Sequence, residues 1–123
     1  PFIKYQTDAS VANIIETWCA EHFDEPPSVA MDVNSMSTCR HFVRAGLGWS
    51  ILTYMGLGSC KDKDIYVSPL RSKDGEYITR DTNMVYTKDA ENLVVVKTFI
   101  EYVRHYYKEH TVVDDSIFRE YKA

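Results

Sequence analysis

No apolar run in these 123 residues approaches the roughly 18 that a membrane-spanning helix requires. No basic, apolar and small-residue leader opens the chain either, so a soluble, cytoplasmic protein without membrane partners is expected. Positive charge is scarce: 14 Lys and Arg against 18 Asp and Glu leave a formal net charge of −4. Gripping nucleic-acid phosphates takes clustered cations, so any DNA contact is expected to come from outside this chain. Cysteine is limited to Cys19, Cys39 and Cys60. That odd number, without paired spacing, fits reduced thiols in the cytosol and not a disulfide framework. An initiator methionine is also missing before Pro1, so the chain is expected to be processed or cut from something longer.

What is present reads as an alternation. FIKY (2–5) is a short β-prone run, after which Val11, Ile14, Ile15, Trp18 and Cys19 recur at helical spacing up to Glu25-Pro26-Pro27. Thr7 or Asp8 is the expected N-cap. SVAMDV (28–33) is a second strand, and Asn34-Ser35 opens a helix with Met36, Cys39, Phe42 and Val43 on its apolar side. WSILT (49–53), apolar on both sides, predicts a strand covered on both faces. Strands joined by helices pair in parallel with right-handed crossovers, so the first 50 or so residues specify a small α/β sheet. Beyond it the spacing predicts a loop over 55–64, a strand over 64–70, a turn at 71–75 with Gly75 at positive φ, and an extended segment over 77–86. A helix over 90–109, capped by Asp89, carries an unusually wide apolar face, and a loosely held polar tail occupies 110–123.

GLGWSIL (46–52) raises the question of a phosphate loop. Such loops follow a strand and open a helix, whereas Gly46 and Gly48 follow a helix and precede a strand, with no GK[ST] behind them. The pair is therefore expected to end the helix in a left-handed cap and turn the chain into a buried strand, with Leu47 packing back on the helix. In open parallel sheets ligands collect beyond the carboxyl ends of the strands. That rule selects Tyr5, Gln6 and Thr7, then Asn34 and Ser35, then Thr53 and Tyr54, beside helix N-termini whose free N–H groups suit an anion. Capping by Thr7, Asp8 and Ser35 is the simpler role for some of these groups, and it is compatible with ligand contact. Lys4 stands nearby as a possible positive charge.

Signs of catalysis are weak. Cys19 with His22 and Cys39 with His41 have no paired zinc spacing, and both cysteines fall on apolar helix faces, so neither metal nor cofactor is expected. The aspartates show no carboxylate pairing, and no Ser, His and Asp set suggests a triad. A free Pro1 amine evokes tautomerases that use an N-terminal proline as base, but such folds want antiparallel or repeated βαβ halves, and the second half here does not repeat the first. No catalytic residue is expected.

PFIKY, Ile15 and Trp18 on a helix, Pro27, Val33-Asn34-Ser35, FVRAGLGWSIL, the Pro69-Leu70 pair, Arg80 leading a strand and TFIEYV (98–103) together resemble the effector-binding domain of LysR-type transcriptional regulators over about residues 1–108. The resemblance implies a periplasmic-binding-protein-like subdomain, the second of two, at 1–87, with an open parallel-type sheet, flanking helices and hinge strands near 1–6 and 80–87. It implies that the helix at 88–109 packs on the first subdomain. It also implies a small-molecule effector in the cleft between subdomains, touching Tyr5, Gln6, Thr7, Asn34, Ser35 and Thr53. Many members have proline after the third strand where Thr53-Tyr54 stands here. A homo-oligomer with a dimer contact through 8–23 and 28–33, and DNA binding only through an N-terminal helix-turn-helix, complete the implied picture. A fragment of an extracytoplasmic solute-binding protein is the competing reading of the same fold, and its expected leader is missing.

Overall fold

Phe2–Tyr5 forms β1 and Val29–Val33 forms β2, paired in parallel with Ile3 beside Met31, Lys4 beside Asp32 and Tyr5 beside Val33. The structure, a computed structural model, describes residues 1–58, 65–110 and 115–119. Helix α1, Ala9–His22, crosses between the strands. It starts where the sequence places it, with Asp8 as N-cap accepting from the Val11 N–H at 2.9 Å, a contact typically contributing about 1 kcal/mol. Helix α2, Met36–Arg44, follows β2 and is capped by Ser35, which accepts from the Thr38 N–H at 3.1 Å. The strand, helix, strand, helix order is thus an α/β arrangement on a parallel pair.

The alternation along β1 decides where the core lies. Ile3 and Tyr5 point to one face and are buried against Cys39 of α2, with Ile15, Met36, Phe42, Val43 and Leu52 packed around them. Phe2 and Lys4 point the other way, and Phe2 meets Trp49 with ring centroids 4.8 Å apart. Trp18 of α1 donates its indole N–H to the Arg71 carbonyl at 2.8 Å and stacks on His22 at 4.4 Å. His22 is occupied as a helix-end aromatic, and Cys19 beside it is buried.

The glycines act on chain direction. Gly46 has φ +78, its N–H bonds the Val43 carbonyl at 2.9 Å, and the Leu47 N–H bonds the Phe42 carbonyl at 3.1 Å. These two bonds are a Schellman ending of α2. Leu47, expected to fold back on the helix, is instead 47% exposed. Gly48 has a different task. A Cβ there would overlap the Pro1 carbonyl oxygen and come within 3.1 Å of the Ile3 side chain, so its missing side chain lets the chain lie against β1.

The expected third strand at 49–53 is reduced to one parallel bridge, Phe2 with Trp49. The Trp49 N–H bonds Pro1 O at 3.0 Å and the Ile3 N–H bonds Trp49 O at 2.9 Å. The ladder then stops because side chains take over its acceptors: Ser50 Oγ donates to Ile3 O at 2.8 Å and the Tyr5 hydroxyl to Ile51 O at 2.7 Å. Thr53 next caps a short helix, α3, Tyr54–Leu57, in the stretch expected to be a loop. Cys60 and the remainder of that loop lie outside the described residues.

Beyond α3 the expected strands are likewise reduced. Within 65–70 only Val67 makes a bridge, antiparallel to Arg119, so the expected loose tail has a paired point. The 71–75 turn forms as expected, with Gly75 at φ +85 and Arg71 bridged to Tyr77, but the extended segment carries no ladder past Ile78. Pro1–Ile78 with Ile117–Ala123 form one compact unit and Thr79–Ser116 another. Within the second unit, a 3-10 turn over Lys88–Asn92 takes up Asp89, so the long helix α4 starts later, at Val94, with Leu93 as a cap that offers no side-chain bond. α4 ends at Glu109 and leaves Val94, Val95, Phe99, Tyr102 and Tyr107 exposed, while Arg104 donates to the Tyr86 hydroxyl at 2.6 Å. No helix among the described residues is long and apolar enough to cross a membrane.

The free thiols of Cys19 and Cys39 give a direct check on the core. Burial pushes both thiols above their ordinary range; at Cys39 the hydrogen bond with Ser50 opposes part of this. Thiolate is the reactive form, so iodoacetamide at neutral pH should modify both residues far more slowly in the folded chain than in urea. Peptide mass mapping with equal labelling rates in the two states would contradict this packing.

Candidate functional site

The six residues singled out from the sequence sit at the carboxyl ends of β1, β2 and the 49–53 segment. Lateral bonds tie these ends together. The Gln6 N–H bonds the Val33 carbonyl at 3.0 Å, extending the parallel pair to the residue before Asn34. Thr53 Oγ1 lies 3.4 Å from the Sδ of Met36, the residue after Ser35. Tyr5 reaches the 49–53 segment through Ile51.

Their side chains are committed to different degrees. Tyr5 is 5% exposed, and its hydroxyl is engaged by Ile51 O. Burial first, then the neighbouring charges of Cys39 and Asp8, push its pKa up to about 12, so it stays protonated at neutral pH. Gln6 spends its amide on Asp32, 3.1 Å from Oδ1. Ser35 and Asn34 share Thr38: Ser35 Oγ is 3.0 Å from Thr38 Oγ1, which also donates to Asn34 Oδ1 at 3.2 Å. Thr53 Oγ1 accepts from the Gly56 N–H at 3.0 Å. Thr7 is half-buried, and its hydroxyl makes no hydrogen bond among the described residues, because Asp8 has taken the capping task.

The resulting edge offers hydroxyls and the first-turn N–H groups of α1 and α2, which favour a negatively charged or carbonyl oxygen. The Ser35 and Thr53 hydroxyls serve caps, and the nearby carboxylates Asp8 and Asp32 accept from a backbone N–H and the Gln6 amide. Lys4 is exposed on the opposite face of β1 from Ile3 and Tyr5. A groove of about 520 Å³ runs on that side, lined by Phe2, Ala12, Cys19, Phe23 and Val29 among others. Of the six residues it includes only Tyr5 and Thr7. The strand-end edge and this groove are thus distinct places that share the exit of β1.

Three residues that bind the edge together carry no obvious mark in the sequence. Thr38 has the weak signal of standing three residues after Ser35, where a hydroxyl can join the cap. Met36 and Arg40 read as ordinary helix residues. Arg40 nonetheless donates from Nη1 to the Gly56 carbonyl at 3.1 Å, while its Nε is buried with no hydrogen-bond partner among the described residues.

Comparison with known proteins bears on the family of the chain. The family described as the LysR substrate binding domain matches residues 1–108. The uncharacterized HTH-type transcriptional regulator YraN of Bacillus subtilis (strain 168) is 36% identical over 104 residues, covering 85% of this chain and 35% of that protein. YkuM, another HTH-type transcriptional regulator of the same organism, is 28% identical over 104 residues with the same coverage. The chain therefore spans about a third of the length of these relatives. No solved structure gives a significant match. With the match running over most of the chain and through all three strand ends of the site, this chain belongs to the LysR substrate-binding domain family.

Proposed function

We propose that this chain is the effector-sensing part of a LysR-type transcription regulator, and that it forms one side of a cleft holding a small anionic metabolite. The observation that carries the reading is the convergence of Thr7, Asn34, Ser35 and Thr53 at strand ends beside the N-termini of α1 and α2. Thr7 contributes an uncommitted hydroxyl, and Tyr5 serves as a wall. The other side of the cleft belongs to a first subdomain, which also covers the exposed apolar face of α4. DNA binding resides in a separate helix-turn-helix. The protein works in the cytoplasm as a homo-oligomer, with 8–23 and 28–33 in the dimer contact. Effector in the cleft favours one setting of the two subdomains, and the oligomer passes that bias to the DNA-binding parts. In this scheme the chain senses and does not catalyse.

The test uses the intact regulator. Thermal-shift screening against metabolites identifies a ligand, which is then titrated against DNA binding. Thr7→Ala and Ser35→Ala are expected to raise the effector concentration needed by about tenfold, the worth of one charge-assisted hydrogen bond, with DNA affinity unchanged. Thr7→Ala is the cleaner variant, because Ser35→Ala also removes a helix cap. An unaltered effector titration in both would sink the site assignment.

A further inference from the structure

We propose that Arg40 is the positioning residue that sets the Thr53 edge of this site against the Ser35 edge, an inference that rests on the effector-site reading above. Helix α2 carries Ser35 at its start, and the 53–58 turn carries Thr53. Two α2 side chains one helical turn apart, Met36 and Arg40, hold that turn. Met36 lies against the turn so closely that a Cβ on Gly56 would overlap its Sδ. Arg40 Nη1 bonds the Gly56 carbonyl at 3.1 Å, and a Cβ on Gly58, itself at φ +61, would come within 2.8 Å of the same nitrogen. The guanidinium therefore fills space that Gly58 vacates, as the Met36 thioether fills the space that Gly56 vacates. Thr53 closes the unit by capping the Gly56 N–H.

Stability alone is a poor account of this arginine. Its Nε is buried without a partner among the described residues, and a buried donor left unpaired is a cost that an apolar side chain of similar length avoids. What methionine could not supply is the directed bond to Gly56 O, which fixes where the turn sits. Lysine would keep one donor but not the planar fork.

Arg40→Met and Arg40→Lys separate these roles. In the purified chain, hydrogen exchange at Gly56 and Leu57 should accelerate by about tenfold or more in Arg40→Met and by less in Arg40→Lys, with no fall in Tm and no change at the β1 amides. In the intact regulator, with DNA binding read against the dialysable metabolite fraction of its own cells, Arg40→Met should lose most of the response and keep basal DNA affinity. A lower Tm with faster exchange across β1 and α2 would make Arg40 merely structural and overturn the proposal. A normal response in Arg40→Met alongside a lost response in Thr53→Val would also overturn it while leaving the site standing. A normal response in both would remove Thr53 from the site, and the proposal with it.

Discussion

Gly48→Ala should destabilise the chain by about 3 kcal/mol, against about 1 kcal/mol for Gly46→Ala two residues earlier. The second cost is conformational. Gly46 holds φ +78 with open space where its Cβ would stand, so alanine meets only the strain of a left-handed backbone. Gly48 has an ordinary backbone but no room. Its Cβ would press on the Pro1 carbonyl and stand 3.1 and 3.3 Å from Ile3 Cγ1 and Cδ1. Relief would require moving either Ile3, which is fully buried at the centre of the core, or the bonds from Trp49 N–H to Pro1 O and from Ile3 N–H to Trp49 O. Both routes break the junction of the third segment with β1. Urea midpoints for the two variants and the parent measure the difference. Equal losses would mean that the close approach at Gly48 is not a feature of the folded chain.

That pair also shows what the sequence reveals and what it withholds. Gly46 was legible because a helix ending announces itself locally: an apolar helical pattern, a glycine, then a change of period. The caps at Asp8 and Ser35 were legible for the same reason, as short polar residues ahead of helical runs. Gly48 was legible only as part of the pair, since its reason is the Pro1 carbonyl some fifty residues away in sequence, which no local pattern encodes. WSILT has the composition of a third strand, whereas ladder formation depends on whether Ser50 and Tyr5 leave the backbone acceptors free. Helix α3 was hidden by its glycine-rich MGLG sequence, although Thr53 before it and Gly58 after it are a cap and a stop in hindsight. Asp89 was the most capable cap in its neighbourhood, yet a 3-10 turn absorbed it and α4 began without a side-chain cap. At the candidate site, topology points to the strand ends, whereas Arg40 carries no local signal, because its partner, Gly56 O, is a backbone atom of a turn whose sequence has the composition of a loop.

Tyr5→Phe is expected to reverse its effect on stability with pH. At pH 8 the variant should be weaker than the parent by about 1 kcal/mol, because it leaves the Ile51 carbonyl without its donor. At high pH the order changes. The Tyr5 pKa is raised from 10.0 to about 12 in the folded chain, so folding favours the protonated phenol. That contribution is fully present below pH 10, the unfolded value, and is lost as pH rises from there through 12. Two pH units correspond to about 3 kcal/mol, which the parent forfeits across this window and phenylalanine cannot. The two stability curves should therefore cross near about pH 11, where the loss from ionisation matches the worth of the hydrogen bond. The raised thiols of Cys19 and Cys39 lower stability over an overlapping alkaline range in parent and variant, so the difference between the curves reports Tyr5 together with its coupling to the Cys39 charge. Urea unfolding from pH 8 to 12, with tyrosinate absorbance followed in the folded chain, checks both halves. Curves that stay parallel throughout would mean that Tyr5 is not sealed beneath Ile51, and would return its hydroxyl to the set of groups available to an effector.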